Sequence, residues 1–173
     1  MKIVILLLVA VLLILAVAVV SASDRIDRKP VGLFDLQRYL GTWYEIARYD
    51  HSFERGLAGV QAHYELRPDG RIGVVNSGVD YRSDRRKEAR GRAHATAVPG
   101  RLRVSFFWIF YSDYNVLELG ADYDWALVGS RSSKYLWILS RTPVLPSPTL
   151  NHILRLAEAR GYDTRKLLFV DQE

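Results

Sequence analysis

The chain contains no cysteine. Disulfides, thiolate catalysis, cysteine–zinc sites and acylation of a cysteine are therefore excluded. Histidine is scarce. His51, His63, His94 and His152 form no HExxH pair, and their spacing suggests no metal cluster. No metal and no cofactor are expected. No nucleophile elbow or other catalytic signature is present, so an enzyme is not expected. Acidic residues are outnumbered, 19 against 24 lysines and arginines, for a net charge of +5 at pH 7. That mild excess suits a surface of anionic lipid. Nucleic acid is not an expected partner, because no matching motif accompanies the charge. Internal repeats and low-complexity segments are also missing.

What is present begins with an apolar run. Residues 3–20, "IVILLLVAVLLILAVAVV", carry no polar side chain. As a helix they would span roughly 27 Å, close to the thickness of a bilayer core. Residues 1–23 are expected to be a signal peptide or a signal-anchor transmembrane helix. The basic start (Lys2) and the small residues "SAS" after the run suit a cleaved signal, but its apolar region is usually shorter. An uncleaved anchor fits the length better. Arg25, Arg28 and Lys29 follow the run, against the positive-inside rule, so charge does not set the orientation. Residues 24–34 mix charge with Pro30 and Gly32 and read as a linker.

From residue 35 to 173 the chain reads as one domain of short strands between turn signals. The first strand is expected near residues 42–49. "VQAHYELR" then alternates, with Val60, Ala62, Tyr64 and Leu66 on one face. "PDGR" at 68–71 and "VPGR" at 98–101 are turns. Between them, Ile72, Val74 and Asn76 share a face. On the next strand Ala89, Gly91, Ala93, Ala95 and Ala97 face one way, leaving room unless bulkier neighbours fill it. Strands at 102–107, 114–119, 125–130 and 135–141 bring the number to eight. Ser147 can cap a following helix, with Pro148 in its first turn. Leu150, Ile153, Leu154 and Ala157 give that helix one apolar stripe, and Gly161 ends it. Residues 167–170 read as a final short strand. Eight antiparallel strands close into a barrel wide enough for one small ligand.

One stretch breaks the alternation. "SFFWIFYSDYNV", residues 105–116, holds six aromatic residues between Phe106 and Tyr114. The expectation is a strand end at Phe106, a loop over Trp108, Ile109, Phe110 and Tyr111, and a new strand from Tyr114. Exposed aromatics in such a loop mark a binding surface.

Three stretches together resemble the lipocalin family. They are "GTWYEIAR" (residues 41–48), "YNVLELGADYDWALVGS" (114–130) and "YLWILSRTP" (135–143), in order before a helix. The longer run "YLGTWYEIARYDHSFERGL" is similar to the bacterial lipocalins, outer-membrane lipoproteins related to apolipoprotein D. The resemblance implies an all-β, eight-stranded antiparallel up-and-down barrel with one C-terminal α-helix packed outside. It implies structural roles at the closed end for Gly41, Trp43, Asp122, Tyr123 and Arg141, with the Arg141 guanidinium over the Trp43 indole.

The resemblance also implies a hydrophobic ligand, a lysophospholipid or fatty acid, bound, transported or stored at the bacterial cell envelope. By strand parity the ligand-lining candidates are Ala47, Tyr49, Ala62, Tyr64, Val74, Ala93, Ala95, Val104, Phe106 and Trp137. Glu45 shares Trp43's parity and would need a partner inside. Trp108, Ile109, Phe110 and Tyr111, with Arg85 and Arg86 of the basic run "YRSDRRKEARGR", are expected at the mouth, against lipid, a membrane or a second copy in a homodimer. A haem or pigment carrier and a lipid-modifying enzyme stay open as alternatives. His63 and His94 point outward by parity, against axial ligation. The missing cysteine departs from the family's lipoproteins. Localisation is therefore expected at a membrane, anchored by the apolar helix and facing the periplasm, or in the periplasm after cleavage.

Overall fold

A single carboxylate starts the fold. In the computed structural model, which describes residues 26–107 and 110–172 (Phe107 in its backbone only), Asp35 accepts the amides of Gln37 and Arg38. It thereby caps a one-turn helix, α1 (Leu36–Tyr39). Gly41 then turns the chain at φ +96°, a conformation that disfavours side chains. A β-carbon there would sit 3.4 Å from Arg141 Nη1. Gly41→Ala should cost about 1–2 kcal/mol in urea denaturation. A loss below half of that would mean the turn relaxes freely.

The strands are β1 (Gly41–Tyr49), β2 (Leu57–Leu66), β3 (Ile72–Asp80), β4 (Arg85–Ala95), β5 (Arg101–Phe107), β6 (Phe110–Leu119), β7 (Trp125–Ser130), β8 (Leu136–Ser140) and β9 (Leu167–Phe169). Helix α2 (Ser147–Ala159) lies between β8 and β9. Each strand from β1 to β7 pairs antiparallel with the next, and β8 pairs back with β1, which closes the expected barrel. β1 pairs with β2 only from Gly41 to Tyr44. Beyond that its edge passes to β9, across Ala47–Phe169, Arg48–Leu168 and Tyr49–Leu167. Gln172 bridges the split by donating to the carbonyls of Glu45 and Val60.

Two apolar clusters result. Inside the barrel, Trp43, Tyr64, Ile72, Val74, Ala93, Leu102, Val116, Ala126, Val128 and Leu139 are buried with Tyr39. Outside, Ile153 and Ala157 of α2 pack on Ile46, Ala47, Leu117, Leu127, Leu136 and Ile138. The helical stripe is as the spacing expects, and Gly161 ends the helix at φ +88°. Its start differs. The cap position is Pro146 and no side chain caps the helix, so Ser147 is already its first residue.

Three further expectations change. A β-bulge between Glu45 and Ala47 puts Ile46 and Ala47 both outward. Parity then reverses, so Ala47 and Tyr49 lie under α2 and Arg48 replaces them inside. β6 begins at Phe110, not Tyr114, because Phe110 already pairs with Phe107. Residues 26–34 are docked rather than free. Val31 donates to Val116 O, Asp27 donates to Arg160 O, and Arg160 reaches back to Asp27 and Lys29 O. The apolar run at 3–20 lies outside the described residues. Among those described, no helix is long and apolar enough to cross a membrane.

Candidate functional site

The barrel interior is built in layers from its closed end. Trp43 is fully buried and donates to Tyr39 O. The Arg141 guanidinium stands 3.8 Å from its ring centre. It donates to the carbonyls of Thr42, Arg38, Leu40 and Tyr123. Tyr123, at φ +60°, accepts the Asp35 amide on its hydroxyl, and its ring lies 4.2 Å beneath the Arg38 guanidinium. Asp122 is exposed in the same turn, with no side-chain hydrogen bond or ion pair among the described residues. Its expected role reduces to a turn position.

Above the floor sit three phenols. Tyr39 Oη lies 2.6 Å from Tyr114 Oη, and Tyr64 donates to Tyr114 at 3.1 Å. Burial pushes all three hydroxyls well above the ordinary tyrosine range, so they stay protonated and serve one another as polar partners.

The next layer is the apolar wall. Tyr64, Val74 and Ala93 are buried within it. Ala62, Val104, Phe106 and Trp137 pack against the same cluster but remain partly exposed. The small residues of β4 do not leave a void at Gly91. A β-carbon there would come within 2.8 Å of the Phe106 ring, so the phenyl lies directly across the glycine. Ala95 is exposed at the end of β4, beside the turn at the closed end, and lines nothing.

At the open end the bulge in β1 places a charged group inside. Arg48 is 1% exposed and donates from Nη1 to Glu45 Oε1 at 2.6 Å. From Nη2 it donates to Glu54 O at 2.8 Å. Glu54 belongs to the loop between β1 and β2, yet it is buried, with Oε2 accepting from Trp137 Nε1 at 3.2 Å. His51 Nε2 lies 2.9 Å from the same oxygen. The His51 ring stacks on Phe53 at 3.9 Å and touches Tyr135 and Trp137. Burial, then the neighbouring Glu54 charge, push the Glu45 carboxyl well above its ordinary range, while Arg48 pulls it back. Strand parity flagged Glu45 but missed Arg48, His51 and Glu54. The bulge carries no sequence signal that parity can use.

The rim is aromatic and basic. Phe110 is 76% exposed, and Phe53 and Tyr81 are exposed nearby in chain order to the mouth turns. Arg85 is exposed; Arg86, also exposed, donates to Ser77 Oγ. Tyr111 departs from the expected mouth loop. It lies in β6 with its ring edge-on to His94 on the outer wall. Trp108 and Ile109 lie outside the described residues. His63 is exposed beside Thr42, so neither it nor His94 faces the interior.

A family model described as a lipocalin-like domain matches residues 34–172. The chain belongs to the lipocalins. This lipocalin is 45% identical over 148 residues to the outer membrane lipoprotein Blc of Vibrio cholerae, covering 84% of this chain and 86% of that protein. It is 46% identical over 144 residues to the outer membrane lipoprotein Blc of Escherichia coli K12, covering 82% and 81%. A cockroach allergen, Per a 4, shares the fold with a TM-score of 0.69 at 22% identity, over 86% of this chain and 94% of that one. Family membership makes the lipocalin a binding protein rather than an enzyme.

Proposed function

We propose that this lipocalin binds a single-chain acyl lipid, a lysophospholipid or a fatty acid, in the open half of its barrel. The observation that carries this reading is the gradient of exposure inside. The floor is sealed by Trp43 and the phenols, while Ala62, Val104, Phe106 and Trp137, packed against the same inner cluster, remain partly exposed. Burying ten methylenes there would supply about 8 kcal/mol, the scale of a micromolar Kd before ordering costs are deducted.

The relatives named as outer membrane lipoproteins support a place at the cell envelope. Their lipid cannot be attached here through a cysteine, since the chain has none. The apolar run at 3–20 would tether the domain instead, with residues 35–173 facing the periplasm. Phe110 and the arginines of β4 would then meet the membrane surface.

Native mass spectrometry of the full chain, held in amphipol with a panel of lysophospholipids and fatty acids, tests the reading. One bound lipid per chain is the expected result. No adduct from any lipid would end it. Trp108→Ser with Phe110→Ser should slow uptake several-fold at unchanged thermal stability. Loss of the fold would instead make the stretch part of the core.

A further inference from the structure

We propose that Glu54 is a built-in occupant of a carboxylate receptor formed by His51 and Trp137 beside the Arg48–Glu45 pair, and that a fatty-acid carboxylate takes its place when an acyl chain enters. The inference rests on the lipid-binding reading and names the headgroup that this site selects.

Three observations support it. The first is charge. Arg48 already has Glu45 as its partner at 2.6 Å, so Glu54 is a second buried carboxylate beside one permanent cation. A group brought in beyond the balance costs desolvation. Exchanging it for another carboxylate leaves the buried charge unchanged and returns Glu54 to water.

The second is connectivity. Glu54 is held by a short loop, not by a strand. Its backbone bonds are local: its amide donates to His51 O, and its carbonyl accepts from Leu57 N and Arg48 Nη2. The loop is pinned from outside by a two-pronged Arg55–Asp50 pair that need not break for the side chain to leave.

The third is donor surplus. Arg48 Nε, a donor in every protonation state, is buried and has no hydrogen-bond partner among the described residues. Buried donors without partners are uncommon. The site therefore offers more than Glu54 uses. Its position also fits. Trp137, which donates to the Glu54 carboxylate, packs against the same inner cluster as Val104 and Phe106. A chain bonded at Trp137 would run down the apolar wall.

The test compares oleate, lysophosphatidylcholine and oleyl alcohol by isothermal titration on the full chain in amphipol. Wild type, Glu54→Ala and Glu54→Gln are measured, each first shown to be folded by circular dichroism. Both variants should bind oleate about tenfold tighter or more, since a charge-assisted contact no longer has to be displaced. Oleyl alcohol should change by less than about twofold, and lysophosphatidylcholine should gain less than oleate. Equal gains for oleate and the alcohol would make Glu54 a steric lid and overturn the receptor. Binding that is the same in all three proteins would overturn it too. Failure of every protein to bind any of the three lipids would defeat the lipid-binding reading itself.

Discussion

Replacing Arg141 with alanine will cost the fold about 4 kcal/mol. The estimate follows from what the guanidinium holds. It donates to the carbonyls of Arg38, Leu40, Thr42 and Tyr123, which belong to α1, the entry of β1 and the β6–β7 turn. Hydrogen bonds to a charged group are worth about 1.5–3 kcal/mol each, and the contact on the Trp43 face adds about 0.5–2 kcal/mol. Water can reach part of the side chain and would satisfy some abandoned carbonyls, so the full sum is not lost. Against a typical domain stability of about 5–15 kcal/mol the loss is still large. Arg141→Lys should recover less than half, because an ammonium cannot serve four carbonyls and stack on an indole together. Urea denaturation followed by tryptophan fluorescence measures both. A cost near 1 kcal/mol for the alanine variant would show that the closed end is held by other contacts.

The same residues explain why so much of the fold was legible. Turn chemistry at Gly70, Gly100 and Gly161 marked real chain reversals, and each has positive φ. The stripe Leu150, Ile153, Leu154 and Ala157 needed only helical periodicity. Period-two alternation worked on β2 and β3, where the pairing from Gln61–Ser77 to Leu66–Ile72 runs without a slip. It failed on β1, where one bulged residue exchanged the two faces. Strand parity alone puts Ala47 and Tyr49 in the cavity, on a register that the bulge cancels. Composition also misled on β4. A run of small residues says nothing about what crosses it, and Phe106 comes from the neighbouring strand. The aromatic stretch hid a hairpin arm, because Phe110 to Asp113 are paired in β6 while their side chains are not alternately apolar. The charged cluster at the mouth was invisible for a related reason. Glu54 reaches Trp137 across 83 positions of sequence, through a loop fold that no local pattern encodes.

That cluster carries the second large effect. Arg48→Met should destabilise the lipocalin by about 3–5 kcal/mol at pH 8, because it leaves the buried Glu45 carboxylate without its cation and the Glu54 carbonyl without its donor. The cost should shrink as pH falls. Glu45 already has its pKa raised in the folded state by burial and by Glu54, with Arg48 opposing. A raised carboxyl binds its proton more tightly folded than unfolded. Its contribution is therefore fully present below the unfolded value, about 4.3, and is lost as pH rises through the folded value. Removing Arg48 raises the folded value further. The decline with pH then starts from the same point but extends over a wider range. Thermal melts of wild type and variant from pH 4.5 to 8.5 should diverge steadily as pH rises. Adding Glu45→Gln removes that titration and the stranded charge. The double variant should recover part of the stability at pH 8 and show a flatter profile. A gap between wild type and Arg48→Met that is constant across the range would mean that Glu45 does not titrate with the fold, and that the loss comes from packing of the arginine stem alone.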